Sequence, residues 1–235
     1  MLIENTPESP VETESEIIVP WSVPEIIFSL GVIFLLSIGM IWIVYRWPDA
    51  INIVLVSFEL VYLIPVGIIL LVKRAHPETV GFRKFTMKNL AIGCGLLFGA
   101  YAIIILHNLL LLAFNIAPQG EYLSELFDTG QSFGLLAFVG IVIAPLAEEV
   151  FFRGFLFGGL SKKYGWKIAA LLSAGLFAIA HMQLIVLIPT FILGFVLAYL
   201  YHRSKSIWPG IILHLTVNSF SFAIISLASF FEGLI

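Results

Sequence analysis

Charged residues are scarce in this sequence of 235 amino acids: Asp, Glu, Lys and Arg make up 11% of it, whereas hydrophobic residues make up 60%. Soluble domains carry about a quarter charged residues. Because a chain this apolar could not cover its own surface in water, we predict that its solvent is largely lipid. The net charge of −3 gives no attraction for a polyanion, so nucleic acid is not expected as a partner.

Cysteine is also nearly absent. The single cysteine, Cys94, excludes an internal disulfide. No Cys/His cluster has the spacing of a structural zinc site. The His-Glu-x-x-His motif of zinc metalloproteases is missing as well, so motif spacing does not favour a metal centre.

Long apolar runs make up most of the chain, and a helix needs about 20 apolar residues to cross a bilayer. The sequence therefore predicts an all-α, polytopic transmembrane helical bundle with about seven spans, or eight if the last one is broken in two. Two glycine pairs inside these runs, Gly95 with Gly99 and Gly154 with Gly158, predict close helix packing. The predicted spans are 23–45, 51–73, 88–114, 133–159, 166–182, 186–202 and 208–232.

The runs divide the chain into three parts. Residues 1–20 are rich in glutamate and proline and predict a flexible acidic tail. Residues 21–120 hold the first group of transmembrane helices, and residues 121–235 hold the second.

The basic residues predict an orientation. Most Lys and Arg side chains fall in three loops, near 73–88, 162–167 and 203–205, which lie on the same side of a seven-span arrangement. The positive-inside rule predicts that these loops and the N-terminus face the cytoplasm, with the C-terminus outside. An eighth span would return the C-terminus to the cytoplasm.

Two adjacent glutamates interrupt the fourth predicted span, where an ionised side chain costs about 3 kcal/mol or more. Glu149 and Arg153 are four residues apart, so they share a helix face and are expected to form an ion pair. Glu148 points about 100° away around the helix and is predicted to be free to act as a general base. The non-catalytic interpretation is a buried ion pair with a second glutamate that fixes helix register.

Two further polar pairs lie inside predicted spans at helical spacing: Phe177 with His181, and His214 with Asn218. As purely structural groups, they would be an interfacial histidine and an interhelical hydrogen-bond pair. Together with Glu148, they supply a base, a proton donor and an oxyanion donor for hydrolysis of an amide by water. The alternative is a water activated by a metal that glutamate and histidine hold.

The order of these groups resembles the signature of the CPBP family, the CaaX protease and bacteriocin-processing (Abi) group that includes the type II CaaX prenyl endopeptidases. The resemblance covers about residues 130–222. Each motif is weak alone, but the three in order are specific: Glu148-Glu149-x-x-x-Arg153, Phe177-x-x-x-His181 and His214-x-x-x-Asn218.

The resemblance implies an integral membrane protein of the prokaryotic plasma membrane whose catalytic core is 121–235. It implies an intramembrane endopeptidase that cleaves a membrane-associated peptide or protein, either prenylated or leader-bearing. Two other functions fit the same residues. One is a non-catalytic membrane immunity or scaffold protein of the same fold, and the other is a transporter with Glu148 and Arg153 as its polar site.

The resemblance also implies a role for each polar residue. Glu148 would activate the water and His181 would assist it. His214 and Asn218 would bind the oxyanion, while Glu149 and Arg153 would support the site. This mechanism requires no cofactor. The alternative is a divalent metal such as zinc, bound by Glu148, His181 and His214.

Overall fold

The structure, a computed structural model, describes residues 19–116 and 133–232. Within these ranges the chain consists of helices and connecting turns and holds no strand, which confirms the predicted all-α class. The main helices are α1 (Val23–Arg46), α2 (Ile51–Leu60), α3 (Leu63–Lys73), α4 (Met87–Ala113), α5 (Phe133–Phe138), α6 (Ala144–Glu148), α7 (Gly158–Ala180), α8 (Leu187–Ser204) and α9 (Trp208–Glu232).

Every predicted span coincides with one or more of these helices. By length and composition, four described helices could cross a membrane, or up to five if the bent pair α2–α3 is one span. One of the four is the continuous run Phe133–Ala180, which has 48 residues and is far longer than a single crossing needs. Gly165, with φ of 75°, breaks this run next to the start of the predicted fifth span. The protein is a helical membrane protein, and seven or eight crossings stay a prediction.

The bend of 42° between α2 and α3 has a local cause. Pro65 has no amide hydrogen to donate to the Val61 carbonyl four residues earlier, and its ring disfavours a straight helix there. The Val61 carbonyl accepts instead from the amide of Ile64, at 3.3 Å. The bend turns buried Val61 and Tyr62 towards the core.

The run Phe133–Ala180 is not a regular α-helix. Two π-helical segments, Val139–Ile143 and Glu149–Phe157, flank the short helix α6. All nine residues of the second segment are buried. π-Helical turns are rare and occur mostly at functional sites. Glu148 is the last residue of α6, and Glu149 is the first residue of this segment.

The two glycine pairs behave differently. A Cβ atom on Gly154 would overlap the backbone carbonyl of Val80, so the close approach predicted there is present. Among the described residues, no atom lies within 4 Å of a Cβ built on Gly95 or on Gly99. The prediction of close packing is therefore wrong for Gly95 and Gly99, which lie on an exposed part of α4.

The basic loops meet at one end of the bundle, in agreement with their predicted common side. The Ile207 amide donates to the Gly81 carbonyl at 2.9 Å, which joins the start of α9 to the loop before α4. The Lys162 ammonium donates to the carbonyl of buried Val19 at 3.2 Å. The rest of the predicted acidic tail and the boundary at 120/121 lie outside the described residues.

Candidate active site

The buried ion pair predicted from helical spacing is present. Glu149 and Arg153 are both 0% exposed, and Arg153 Nη1 lies 3.0 Å from Glu149 Oε1. The guanidinium carbon of Arg153 also lies 4.3 Å from the centre of the Phe177 ring. The arginine therefore has an ionic contact on one side and a cation–π contact on the other, although none of its three guanidinium nitrogens makes a hydrogen bond to a described residue.

His214 joins the two glutamates, although it lies on α9 and they lie on the run Phe133–Ala180, which we call the site helix. Its Nδ1 is 3.1 Å from Glu149 Oε1, and its Nε2 is 3.6 Å from Glu148 Oε2. The contact with Glu149 requires a hydrogen on Nδ1, because an ionised carboxylate only accepts. Glu149 thereby orients the ring so that Nε2 faces Glu148.

Glu148 keeps more freedom than its neighbour. Its side chain is 12% exposed, whereas that of Glu149 is fully buried and has both Arg153 and His214 as partners. The contacts agree with the predicted pairing of Glu149 with Arg153, and the role of Glu148 as a general base stays a prediction. Spacing along one helix could not predict the partner of Glu149 on α9, which is 65 residues away in the sequence.

His181 is half-buried at the end of α7. Its Nδ1 lies 2.8 Å from the Phe177 carbonyl one turn earlier, so Nδ1 is the donor and Nε2 stays available. The Phe177 ring contacts both histidines, with centroid distances of 4.8 Å to His181 and 5.7 Å to His214. One fully buried aromatic ring therefore separates and orients three polar side chains: Arg153, His181 and His214.

Asn218 reaches the site helix, but at another point. Its Nδ2 donates to the Gly140 carbonyl at 2.7 Å, inside the first π-helical segment. Pro145, five residues after Gly140, has no amide hydrogen to satisfy that carbonyl in a π-helical pattern. The Asn218 amide has a second hydrogen, and its predicted role as an oxyanion donor stays a prediction.

Sequence reasoning did not connect two residues of the N-terminal half to this site. Glu59 and Tyr62 lie within electrostatic range of Glu148, and the Tyr62 ring packs 5.4 Å from that of Phe151. Glu59 Oε2 is buried and has no hydrogen-bond partner among the described residues. A glutamate in the middle of an apolar span was the available signal, but nothing in its spacing pointed to Glu148.

The metal alternative concerns Glu148, His181 and His214. The described residues contain no group of three or more His, Cys, Asp or Glu side chains arranged to hold a metal ion. Nδ1 of His214 and Nδ1 of His181 are both engaged, by Glu149 and by the Phe177 carbonyl. Histidines that bind a metal through Nε2 commonly donate their Nδ1 hydrogen to a carboxylate or a carbonyl, so these two bonds do not decide between the mechanisms. A divalent metal bound by Glu148, His181 and His214 stays a prediction, and we derive no step through one.

Two curated bacterial proteins are similar to part of the chain. "Putative membrane peptidase YdiL" of Bacillus subtilis (strain 168) is 36% identical over 107 residues, which are 46% of this chain and 44% of that protein. "UPF0177 protein YxdF" of Lactococcus lactis subsp. lactis (strain IL1403) is 35% identical over 95 residues, 40% of this chain and 52% of that protein. The chain thus spans about half the length of the curated relatives that it matches.

A protein-family model matches the segment of the chain that contains the candidate site. Residues 130–220 match the model of the family described as "Type II CAAX prenyl endopeptidase Rce1-like". No solved structure matches the chain. The matched segment contains all three motifs, from Glu148 to Asn218. The resemblance drawn from those motifs is therefore confirmed: residues 130–220 are similar to the Rce1-like family.

Proposed function

We propose that this chain is an intramembrane endopeptidase of a prokaryotic plasma membrane, which hydrolyses a peptide bond of a membrane-associated substrate. One observation carries the proposal: His214 lies between Glu149, at 3.1 Å, and Glu148, at 3.6 Å, in a buried apolar environment. The Rce1-like sequence of residues 130–220 and the peptidase name of the Bacillus relative support the same activity.

In the proposed reaction, Glu148 accepts one proton from a water molecule, and the hydroxide attacks the carbonyl carbon of the peptide bond. A C–O bond forms, and the carbonyl electron pair moves to oxygen as an oxyanion. The C–N bond then breaks, its electron pair passes to nitrogen, and Glu148 delivers its proton to that nitrogen. The products are a carboxylic acid and an amine, so no further reactant is needed.

The surrounding side chains hold this reaction in place. Because Glu149 engages Nδ1 of His214, Nε2 is the ring nitrogen left to bind the oxyanion. Nε2 of His181 is left to orient the water, since its Nδ1 is bonded to a backbone carbonyl. The second amide hydrogen of Asn218 is the other proposed oxyanion donor. Arg153 fixes Glu149.

The test is the substitution Glu148→Gln, which keeps the side chain's shape and removes the base. We expect cleavage products of the native substrate to disappear from membranes that contain this variant. Comparative peptidomics of membranes with the wild-type and variant chains measures this. Glu78→Gln, the same change at an exposed glutamate, is the matched control and should leave the products unchanged.

Two results would count against the proposal. Unchanged cleavage by Glu148→Gln would remove the glutamate mechanism. A cellular phenotype that survives the substitution but requires binding of a partner would favour the scaffold function. Metal analysis of active protein, with and without a chelator, separately tests whether the reaction needs a metal. Activity that falls on chelation and returns with added zinc would overturn the metal-free mechanism.

A further inference from the structure

An open cavity of about 640 Å³ lies at the basic end of the bundle, and neither Glu148 nor Glu149 lines it. Among the described residues, its lining combines aromatic rings with two cationic side chains: Phe82, Arg83, Lys84, Phe85 and Trp208. The rings of Phe82 and Trp208 meet edge to face at 5.8 Å. Both of these rings are more than a third exposed, so their surfaces remain accessible to a ligand.

The cavity wall is fixed to the rest of the protein. The Ser206 hydroxyl donates to the Arg83 carbonyl at 2.7 Å, and the Ile207 amide donates to the Gly81 carbonyl at 2.9 Å. These bonds tie the loop before α4 to the two residues that precede α9. Val80, in the same loop, is fully buried against Gly154 of the site helix. The loop that lines the cavity therefore packs on both helices that carry the candidate site.

The lining is chemically suited to the boundary between lipid and water. Tryptophan concentrates at the level of the lipid headgroups, where one part of its ring is apolar and the other polar. Lysine and arginine near the surface attract anionic lipids. The cavity lies beside the loops in which most of the basic residues are found, so its charge is complementary to an anionic headgroup rather than to a zwitterionic one.

We propose that this cavity binds the headgroup of an anionic phospholipid. The Lys84 ammonium meets the lipid phosphate, while Phe82 and Trp208 contact the glycerol and the first carbons of the acyl chains. Arg83 adds positive charge to the cavity wall, and its Nε is already bonded to the Glu78 carbonyl at 3.1 Å. Lys84 is therefore the residue whose substitution tests the site most directly. This inference does not depend on the proposed protease activity.

The experiment is native mass spectrometry of the full chain in detergent, titrated with phosphatidylglycerol or with phosphatidylcholine. We expect the wild-type chain to bind phosphatidylglycerol preferentially and the variant Lys84→Gln to bind it about fivefold more weakly, the effect of losing one cation near a headgroup. Lys88→Gln is the matched control, because Lys88 is exposed on α4 in the same basic region and does not line the cavity. Its affinity for phosphatidylglycerol should stay at the wild-type value.

Three results would overturn the proposal. Equal affinity for the two lipids would remove the charge selectivity. Equal weakening by Lys84→Gln and Lys88→Gln would indicate a diffuse surface charge instead of a site. Binding of inorganic phosphate or of an acidic peptide that competes with phosphatidylglycerol and depends on Lys84 would assign the cavity to a soluble anion or a peptide.

Discussion

Helix α4 and the run Phe133–Ala180 are both apolar enough to cross a membrane, yet they have opposite surroundings. Only 6% of the most apolar window of α4 is buried inside the protein, against 50% of the corresponding window in the run Phe133–Ala180. Lipid is as apolar as a protein core, so both environments select the same composition. Hydropathy therefore shows that a helix avoids water, but it does not show whether the helix is surrounded by lipid or by protein.

Polar side chains distinguish the two helices better than hydropathy does. On α4, His107 and Asn108 are half-buried neighbours with a contact of 3.3 Å between their side chains. On the run Phe133–Ala180, Glu149 is fully buried and has partners on its own helix and on α9. A neutral polar side chain that hydrogen-bonds within its own helix can face lipid, whereas a charged side chain needs partners from neighbouring protein elements.

The largest difference in stability between variants of the run Phe133–Ala180 and variants of α4 is expected for Glu149→Gln. The change leaves the buried charge of Arg153 without its counter-ion, which should lower the free energy of unfolding by about 3–5 kcal/mol. Its counterpart on α4 is Asn108→Leu, for which membrane hydrogen bonds predict a loss of about 1 kcal/mol or less. Unfolding of the full chain in detergent mixtures measures both values.

The double variant Glu149→Gln with Arg153→Met controls for the charge itself. Removing both charges should recover part of the lost stability, because no uncompensated ion remains. If Glu149→Gln alone is as stable as the wild type, the buried ion pair does not contribute to folding in the way described here.

A smaller effect is expected for Phe177→Leu. Phe177 is 1% exposed and lies against Arg153, and the loss of a buried cation–π contact alone is worth about 2 kcal/mol. The two histidines would also lose the ring that separates them, so the yield of cleaved peptide should fall as well. Phe98→Leu is the matched control on α4, since Phe98 is 81% exposed. Similar losses of stability for the two variants would contradict the assigned role of Phe177.

Local patterns predicted much of the fold and part of the candidate site. Apolar runs located the helices to within a few residues, and the spacing of Glu149 and Arg153 predicted their ion pair because both lie on one helix. Contacts between helices could not be predicted in this way. The bond of His214 to Glu149 and the approach of Tyr62 to Phe151 depend on how the helices pack, which no short-range pattern encodes.

The π-helical segments are a second feature that local reasoning missed. Regular helical spacing placed Glu148 about 100° from Glu149 around the helix, away from any shared partner, whereas both carboxylates approach one histidine. Pro145 explains one contact of the first π-helical segment. Because Pro145 has no amide hydrogen, it cannot donate to the Gly140 carbonyl five residues earlier, and the Asn218 side chain donates to that carbonyl instead. A proline inside an apolar span therefore indicates that a backbone carbonyl nearby lacks its helical donor, but it does not indicate which residue supplies the missing hydrogen bond.

The smallest effects test the two glycine pairs, which have the same spacing and different surroundings. Gly154→Ala places a Cβ against the Val80 backbone, which cannot rotate away, and should lower the free energy of unfolding by about 1 kcal/mol or more. Gly95→Ala meets no described atom within 4 Å and should be neutral or slightly stabilising, because alanine favours the helix. Equal stability of the two variants would mean that the loop at Val80 can move away from Gly154. In that case the loop that lines the cavity would not be held in place by its contact with Gly154.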